Sequence, residues 1–346
     1  MCVLSAIWVT LVIRGVPMFN KSRTNKNNMD LDDQKLVSEI LQITKTKNID
    51  NISRTKAYEE FYFKHPEIKW SFLASMVSRN AGWSMTDLQG RWFRKALNQE
   101  KRSLLFMTYE RANWTIFYDA FPQLLIYQLS KKLNKPLFHL LSYFQVSKFM
   151  EKEWWLFWEK RQKDRLMTAL IINEQNVIHH PVIMNETYRR LVFKSASYKF
   201  QDLFHFSTVI FPTLHGKLFG FSVYNFEKLT NRVELGKRLG WLLFDSGMYQ
   251  HFETFARTVP HTGSRYDYEK YFADKRKRET PLLRTAYPII PHTLDGLRKD
   301  WFHGQNTKHL FKKRKIPKNY EITDWFKHKQ DQLHLFTVLQ EYWRNG

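Results

Sequence analysis

The residues best suited to chemistry stand in two stretches. The first runs from Arg54 to Asp87 and gathers Arg54, Glu59, Glu60, His65, Glu67, Arg79, Asn80 and Asp87. Arg79 and Asn80 close a segment that is otherwise mostly apolar, so they need partners, and carboxylates on the preceding element are the natural ones. Paired charges in apolar surroundings displace pKa values and suit acid–base work. The same pairs also serve as structural ion pairs and caps, the commoner use. The second stretch is Pro260-His261-Thr262-Gly263-Ser264-Arg265-Tyr266-Asp267-Tyr268-Glu269, a loop entering a helix. Backbone donors at Gly263 and Ser264, the Ser264 hydroxyl and the Arg265 fork are the groups that hold a phosphate-like anion at a helix start. His261 could then move a proton. The plainer alternative is an ordinary Ser264 cap, with Asp267 and Glu269 complementing the helix dipole.

Other constellations are thinner. Asp300 with His303, Asp324 with His328, and Asp331 with His334 share one face if helical, a spacing a metal can use. Such spacings recur by chance in a histidine-scattered segment, so neither a metal nor a cofactor is assigned. A helix-turn-helix about Gly82 would offer Gln89, Arg91, Arg94, Lys95 and Asn98 to DNA. Trp92, Phe93, Ala96 and Leu97 beside them suit burial, which favours a plain helical hairpin. No Walker loop, Rossmann glycine fingerprint, Gly-x-Ser-x-Gly elbow or His-Glu-x-x-His motif occurs, which lowers the common NTPase, dehydrogenase and hydrolase classes.

The elements that must position these groups read as helices. Only 12 of 346 residues are glycine, and none falls between Arg91 and His215, which leaves little for tight strand turns. Asp30 caps a helix bearing Leu36, Val37, Ile40 and Leu41, ended by Asn48 to Asn51. Thr55 to Lys64 follows, then Glu67 to Asn80 opened by Pro66, with Gly82 as a left-handed stop and Thr86 with Gln89 as the next capping box. Helices continue to Asn173, with breaks near Pro122 and Asn134-Lys135-Pro136. Phe149 to Ile172 is the longest, with Glu159 and Lys163 paired along it. A helix from Phe226 to Asp245 carries Gly236 and Gly240, where a neighbour can come close. A short helix over Tyr266 to Phe272 and a tail helix over Ile322 to Trp343 complete the series. The expected fold is all-α: one large multi-helix domain over 30–346 with an aromatic core, and a minor β-hairpin or irregular segment around 205–224.

Composition sets the partners. Lys and Arg number 55 against 33 Asp and Glu, a formal charge of +22, alongside 12 Trp, 16 Tyr and 28 Phe. Such a field concentrates anions, so an acidic partner is expected: nucleic acid, an anionic membrane surface or an acidic protein. Lys275-Arg276-Lys277-Arg278 and Lys312-Lys313-Arg314-Lys315 are the densest runs. The single cysteine, Cys2, allows no internal disulfide and fits a cytoplasmic setting. Residues 1–29 read as a poorly structured extension, with Met1, Met18 and Met29 as competing starts; residues 1–19 also resemble a short apolar anchor, though shorter than the roughly 20 residues a spanning helix needs.

The run Asn51 to Leu88, NISRTKAYEEFYFKHPEIKWSFLASMVSRNAGWSMTDL, resembles an uncharacterised bacillar YppC-like family. That resemblance implies a bacterial protein and brings no activity, cofactor or catalytic residue with it. Two functional expectations therefore stand. One is a basic helical protein that binds an acidic partner without catalysis. The alternative is an enzyme or receptor for an anionic small ligand. Its site would draw on Glu67, Arg79, Asn80 and Asp87, or on His261, Ser264, Arg265 and Asp267.

Overall fold

The computed structural model describes residues 30–184, 208–223, 225–274, 276–293, 298–312 and 318–345, the last six of these for their backbone only. The extension over 1–29 lies outside them, as do Lys275 and 313–315 of the basic runs. The chain parts into two units, Met1–Ser38 and Glu39–Gly346. Of the first, the described portion is the opening of helix α1 (Leu31–Lys47), where Gln34 N bonds Asp30 O at 3.0 Å.

The second unit is built on a helical hairpin. Helix α2 (Asn51–Lys64) starts where the Asp50 carboxylate accepts the Ser53 N–H at 2.7 Å, and ends at His65. Helix α3 begins at Lys69, because Pro66 and Glu67 form a turn instead of a first helical turn, and it continues to Asp87. Gly82 is therefore inside α3, and both the left-handed stop and the helix-turn-helix fall. Helix α3 packs on several sides: Ala81, Met85 and Leu88 join a core with Phe93, Phe106 and Leu283, while Trp83 joins another with Phe255, Tyr268 and Phe326. Burial all round holds the glycine-containing helix together where propensity alone favours a stop. The proposed Thr86 cap is likewise replaced, since its hydroxyl sits at the end of α3 and donates to Gly263 O at 2.6 Å.

After the short helix α4 (Arg91–Ala96), Asn98 caps helix α5 (Gln99–Leu133), accepting Lys101 N at 2.9 Å. Helix α5 runs through Pro122, against the expected break. Phe117, Phe121, Leu124, Ile126 and Tyr127 are all buried around that residue, and packing of this kind outweighs one lost backbone bond of about 3 kcal/mol. Asn134, with φ 49, does end the helix. A 3-10 turn over Phe138–Phe144 leads to helix α6 (Lys148–Lys160) and helix α7 (Lys163–Val177), parted by Arg161 at φ 54. The single long helix expected over Phe149 to Ile172 is thus two, and Glu159 and Lys163 lie on different ones. Trp154 stacks with Tyr127 and Phe138 at 5.5 and 5.8 Å and is core, as its aromatic neighbours suggested.

Strands β1 (Thr208–Pro212) and β2 (Leu218–Ser222) pair antiparallel, Thr208 with Ser222 through Pro212 with Leu218, forming the one hairpin among the described residues. Residues 320–322 extend its edge through Gly220 N to Tyr320 O and Ile322 N to Leu218 O. Helix α8 (Leu229–Phe244) meets α7 at its small residues: a Cβ on Gly236 would stand 2.6 Å from Ile171 Cγ2. Helix α9 (Tyr249–Thr258), the single turn α10 (Tyr266–Glu269), the short α11 (Leu283–Ala286) and helix α12 (Thr323–Asn345) follow. The protein is all-α with an aromatic core and a minor hairpin. No helix of the described residues is long and apolar enough to cross a membrane.

Candidate functional site

Helix α3 brings the two chemistry-bearing stretches together. His261 lies directly over Gly82, where a Cβ would come within 2.7 Å of Nε2. That nitrogen meets Asn51 Oδ1 at 2.8 Å, and Asn51 is oriented by donating from Nδ2 to Ser78 O at 2.8 Å. An amide oxygen only accepts, so Nε2 carries the hydrogen. Burial, helped by nearby Arg79, holds His261 below its ordinary pKa against the pull of Asp267. Its Nδ1 faces Asp267. It lies 3.5 Å from Asp267 Oδ2 and takes no hydrogen bond. Asp267 is satisfied elsewhere, by Trp83 Nε1 at 3.0 Å, Thr262 N at 3.0 Å and the Thr262 hydroxyl at 2.5 Å. His261 is only 4% exposed, and at 3.5 Å its contact with the carboxylate is long.

Arg79 and Asn80 find partners as their burial requires. The Arg79 guanidinium donates to Glu59 at 2.7 Å, to Val259 O at 2.7 Å and to Ala256 O at 3.0 Å, tying α2 and α3 to the end of α9. Asn80 pairs with β1 like a further strand residue, accepting from Ile210 N at 3.0 Å and donating to Thr208 O at 3.3 Å.

Arg265 is surrounded by carboxylates: Asp87 at 2.8 Å, Glu279 at 3.5 Å and Glu269 at 3.6 Å. Burial raises Asp87 to about 7, with Arg265 opposing and Glu269 and Glu279 adding to the rise. Ser264 bonds Thr280 O and the Thr280 hydroxyl, both at 2.9 Å. Three acids about one cation are poorly disposed to a phosphate, and α10 is a single turn. His261, Ser264, Arg265 and Asp267 thus converge with Arg79, Asn80 and Asp87 in packed interior.

Glu67 belongs to a different place. It accepts from Lys131 at 2.6 Å and from the Tyr127 hydroxyl at 2.7 Å, with His65 Nδ1 at 3.8 Å. Burial raises this carboxyl, and those two donors bring it below its usual value. Lys64 acts on His65 and Arg161 on Tyr127, while Lys69 joins Asp164 at 2.7 Å. The C-terminal ends of α2, α5 and α6 and the starts of α3 and α7 meet here. Lys64, Lys131, Lys132, Lys135, Lys160, Arg161 and Lys163 are all exposed at these ends. Basic side chains at helix C-termini also complement the dipole, so this basic end has a local structural origin.

Sequence reasoning missed a second buried network. Asp119 accepts from Arg298, from Asn173 at 2.6 Å and from Gln123 at 2.8 Å; Asn173 Oδ1 in turn accepts from Ser147 at 2.8 Å and Trp301 at 2.9 Å. A lone aspartate among aromatics was the available signal, but its partners lie up to 179 residues away. Glu174 was missed too: it accepts from Trp70 at 3.0 Å, and burial raises it to about 7. Of the His–Asp pairs, Asp300 accepts Lys148 N and Phe302 N, while His334 stacks on Trp92 at 4.1 Å. Among the described residues no group of three metal-ligating side chains could hold an ion.

Residues 46–327 match a family described as "Protein of unknown function (DUF2515)". The chain is 54% identical over 308 residues to the uncharacterized protein YppC of Bacillus subtilis strain 168, covering 89% of this chain and 96% of that one. No solved structure matches.

Proposed function

The chain belongs to the DUF2515 family, and we propose that it is a bacterial, cytoplasmic docking protein that binds nucleic acid without catalysing a reaction, using the basic end around Lys132, Lys135 and Lys163. The supporting observation is the gathering of exposed cations where five helix ends meet, opposed locally by Glu67, Glu159 and Asp164. Phosphodiester oxygens would exchange condensed counterions for these ammonium groups, an entropic gain that grows with each contact. Leu133, 54% exposed, is the one large apolar side chain offered on the last turn of α5. A single leucine gives a bilayer little to take up, which favours nucleic acid over lipid. The packed surroundings of His261 and Arg265 weigh against the alternative of an anion-binding enzyme or receptor at that loop.

The test measures binding of the full chain to a single-stranded DNA oligomer and to phosphatidylglycerol vesicles across a salt series. A triple variant, Lys132→Glu with Lys135→Glu and Lys163→Glu, is expected to weaken DNA binding at low salt by about tenfold or more and to flatten its salt dependence. Reversal of Lys45, Lys56 and Lys101, exposed elsewhere, should do much less. Absence of DNA binding at low salt, equal losses in the two triple variants, or binding confined to the vesicles would each overturn the reading.

A further inference from the structure

A cavity of about 400 Å3 lies between the start of α2, the first half of α5 and the segment that follows α11, and it shares no residue with the basic end. Its volume falls within the range of small-ligand sites, roughly 300–1,000 Å3. The wall holds Phe106 stacked on Tyr287 at 3.7 Å, with Leu283 and Ile290. Two further lining isoleucines are open to solvent, Ile49 at 39% and Ile289 at 63%. Apolar side chains exposed singly are ordinary on a protein surface, whereas two at one hollow mark a place where an apolar group can leave water.

The polar side chains of the lining are engaged with one another or with the protein behind them. Asp50 accepts from Arg284 Nε at 2.7 Å, and Ser53 Oγ accepts from Arg284 Nη2 at 3.1 Å. Glu110, 5% exposed, is neutralised by the fully buried Arg54 at 2.5 Å, and its other oxygen stands beside His292. The Tyr287 hydroxyl donates to Met85 O at 2.8 Å. Two carboxylates and two guanidiniums cancel, so the lining favours neither sign of charge. An ion entering the cavity gives up hydration without gaining a free counter-charge, while an uncharged apolar molecule gives up only its contact with water.

We propose that this cavity binds an uncharged, flat apolar molecule of about two rings, held against Phe106, Tyr287, Ile49 and Ile289. The class of ligand follows from the lining: its accessible wall is mainly hydrocarbon, and its charges are matched before any ligand arrives. This assignment is independent of the nucleic-acid reading, and either can fail alone.

The experiment titrates the full chain with naphthalene and, separately, with 2-naphthoate and 2-naphthylmethylammonium, which carry the same rings with a negative or a positive charge. Methyl NMR locates each ligand. Naphthalene is expected to saturate one site, shifting the methyl signals of Ile49, Leu283, Ile289 and Ile290, and both ions should bind at least about tenfold more weakly, a difference of about 1.4 kcal/mol. The exposed Leu335, Val338 and Leu339 of α12 serve as the control for unspecific contact, and their signals should stay in place. Ile289→Asp, a change at an exposed position, should weaken naphthalene about fivefold or more, and Leu335→Asp should leave it unchanged. Failure of naphthalene to saturate, shifts of equal size on α12, either ion binding as tightly as naphthalene, or equal effects of the two variants would overturn the proposal.

Discussion

Gly82 makes room for His261. A side chain on that turn of α3 would displace the imidazole, because its first carbon would stand 2.7 Å from Nε2. Helix propensity by itself makes glycine to alanine a gain of about 1 kcal/mol. Here the tertiary contact reverses the sign. Gly82→Ala is expected to destabilise the protein by about 2–3 kcal/mol in urea unfolding, the usual cost of overpacking. An unchanged or raised midpoint would show that the loop yields without strain.

Arg79 is held by geometry as much as by charge. Its guanidinium reaches Glu59, Ala256 O and Val259 O at once, and the compact ammonium of lysine cannot reproduce that fork. Arg79→Lys should cost about 2 kcal/mol or more through the carbonyls it leaves unmatched, and hydrogen exchange should rise over 256–262. Equal protection in parent and variant would count against the tether.

The Asp119 network predicts a coupled loss. Asp119→Ala leaves the partly buried Arg298, 16% exposed, without its counter-charge and Asn173 Nδ2 without its acceptor, a change expected to cost about 2–4 kcal/mol. Because Trp301 bonds the same Asn173 that holds Asp119, its indole emission should shift toward that of a wetter environment. Asp119→Asn, which keeps the shape and an acceptor but not the charge, should lose less; equal losses would mean that the charge carries the whole effect and the shared hydrogen bonds none of it.

Asp87 and Glu174 give stability a definite pH dependence. Burial raises both to about 7, so folding favours their protonated forms. The associated stability is complete on the acid side of the ordinary carboxyl range and is lost as pH rises through 7. Glu174→Gln should accordingly stabilise the protein near pH 8 by about 1–3 kcal/mol and change little near pH 4. Equal shifts at the two pH values would sink this assignment.

Some of this was legible in residue order. Scarce glycine and helical spacing announced the all-α class, Asn134 announced the end of α5, Gly236 announced a close helix neighbour, and the burial of Arg79 after a run of apolar residues demanded a carboxylate from α2. The errors share a cause. Pro122 and Gly82 are breakers by local rules, yet both lie inside helices, because local preferences of about 1–3 kcal/mol yield to burial on several sides.

What the sequence by itself determined is the helical class, the aromatic core and the excess of positive charge, since each follows from composition and short-range spacing. Which polar groups pair with which was decided only by tertiary structure. His261 and Arg265 look reactive in isolation, but Asn51, Asp87, Glu269 and Glu279 reach them through the fold and take up their polar contacts. Glu110 carries no local signal, and only the fold brings the buried Arg54 and His292 to it. Solvation and pairing depend on the whole surroundings of an atom, and those surroundings come from residues far apart along the chain.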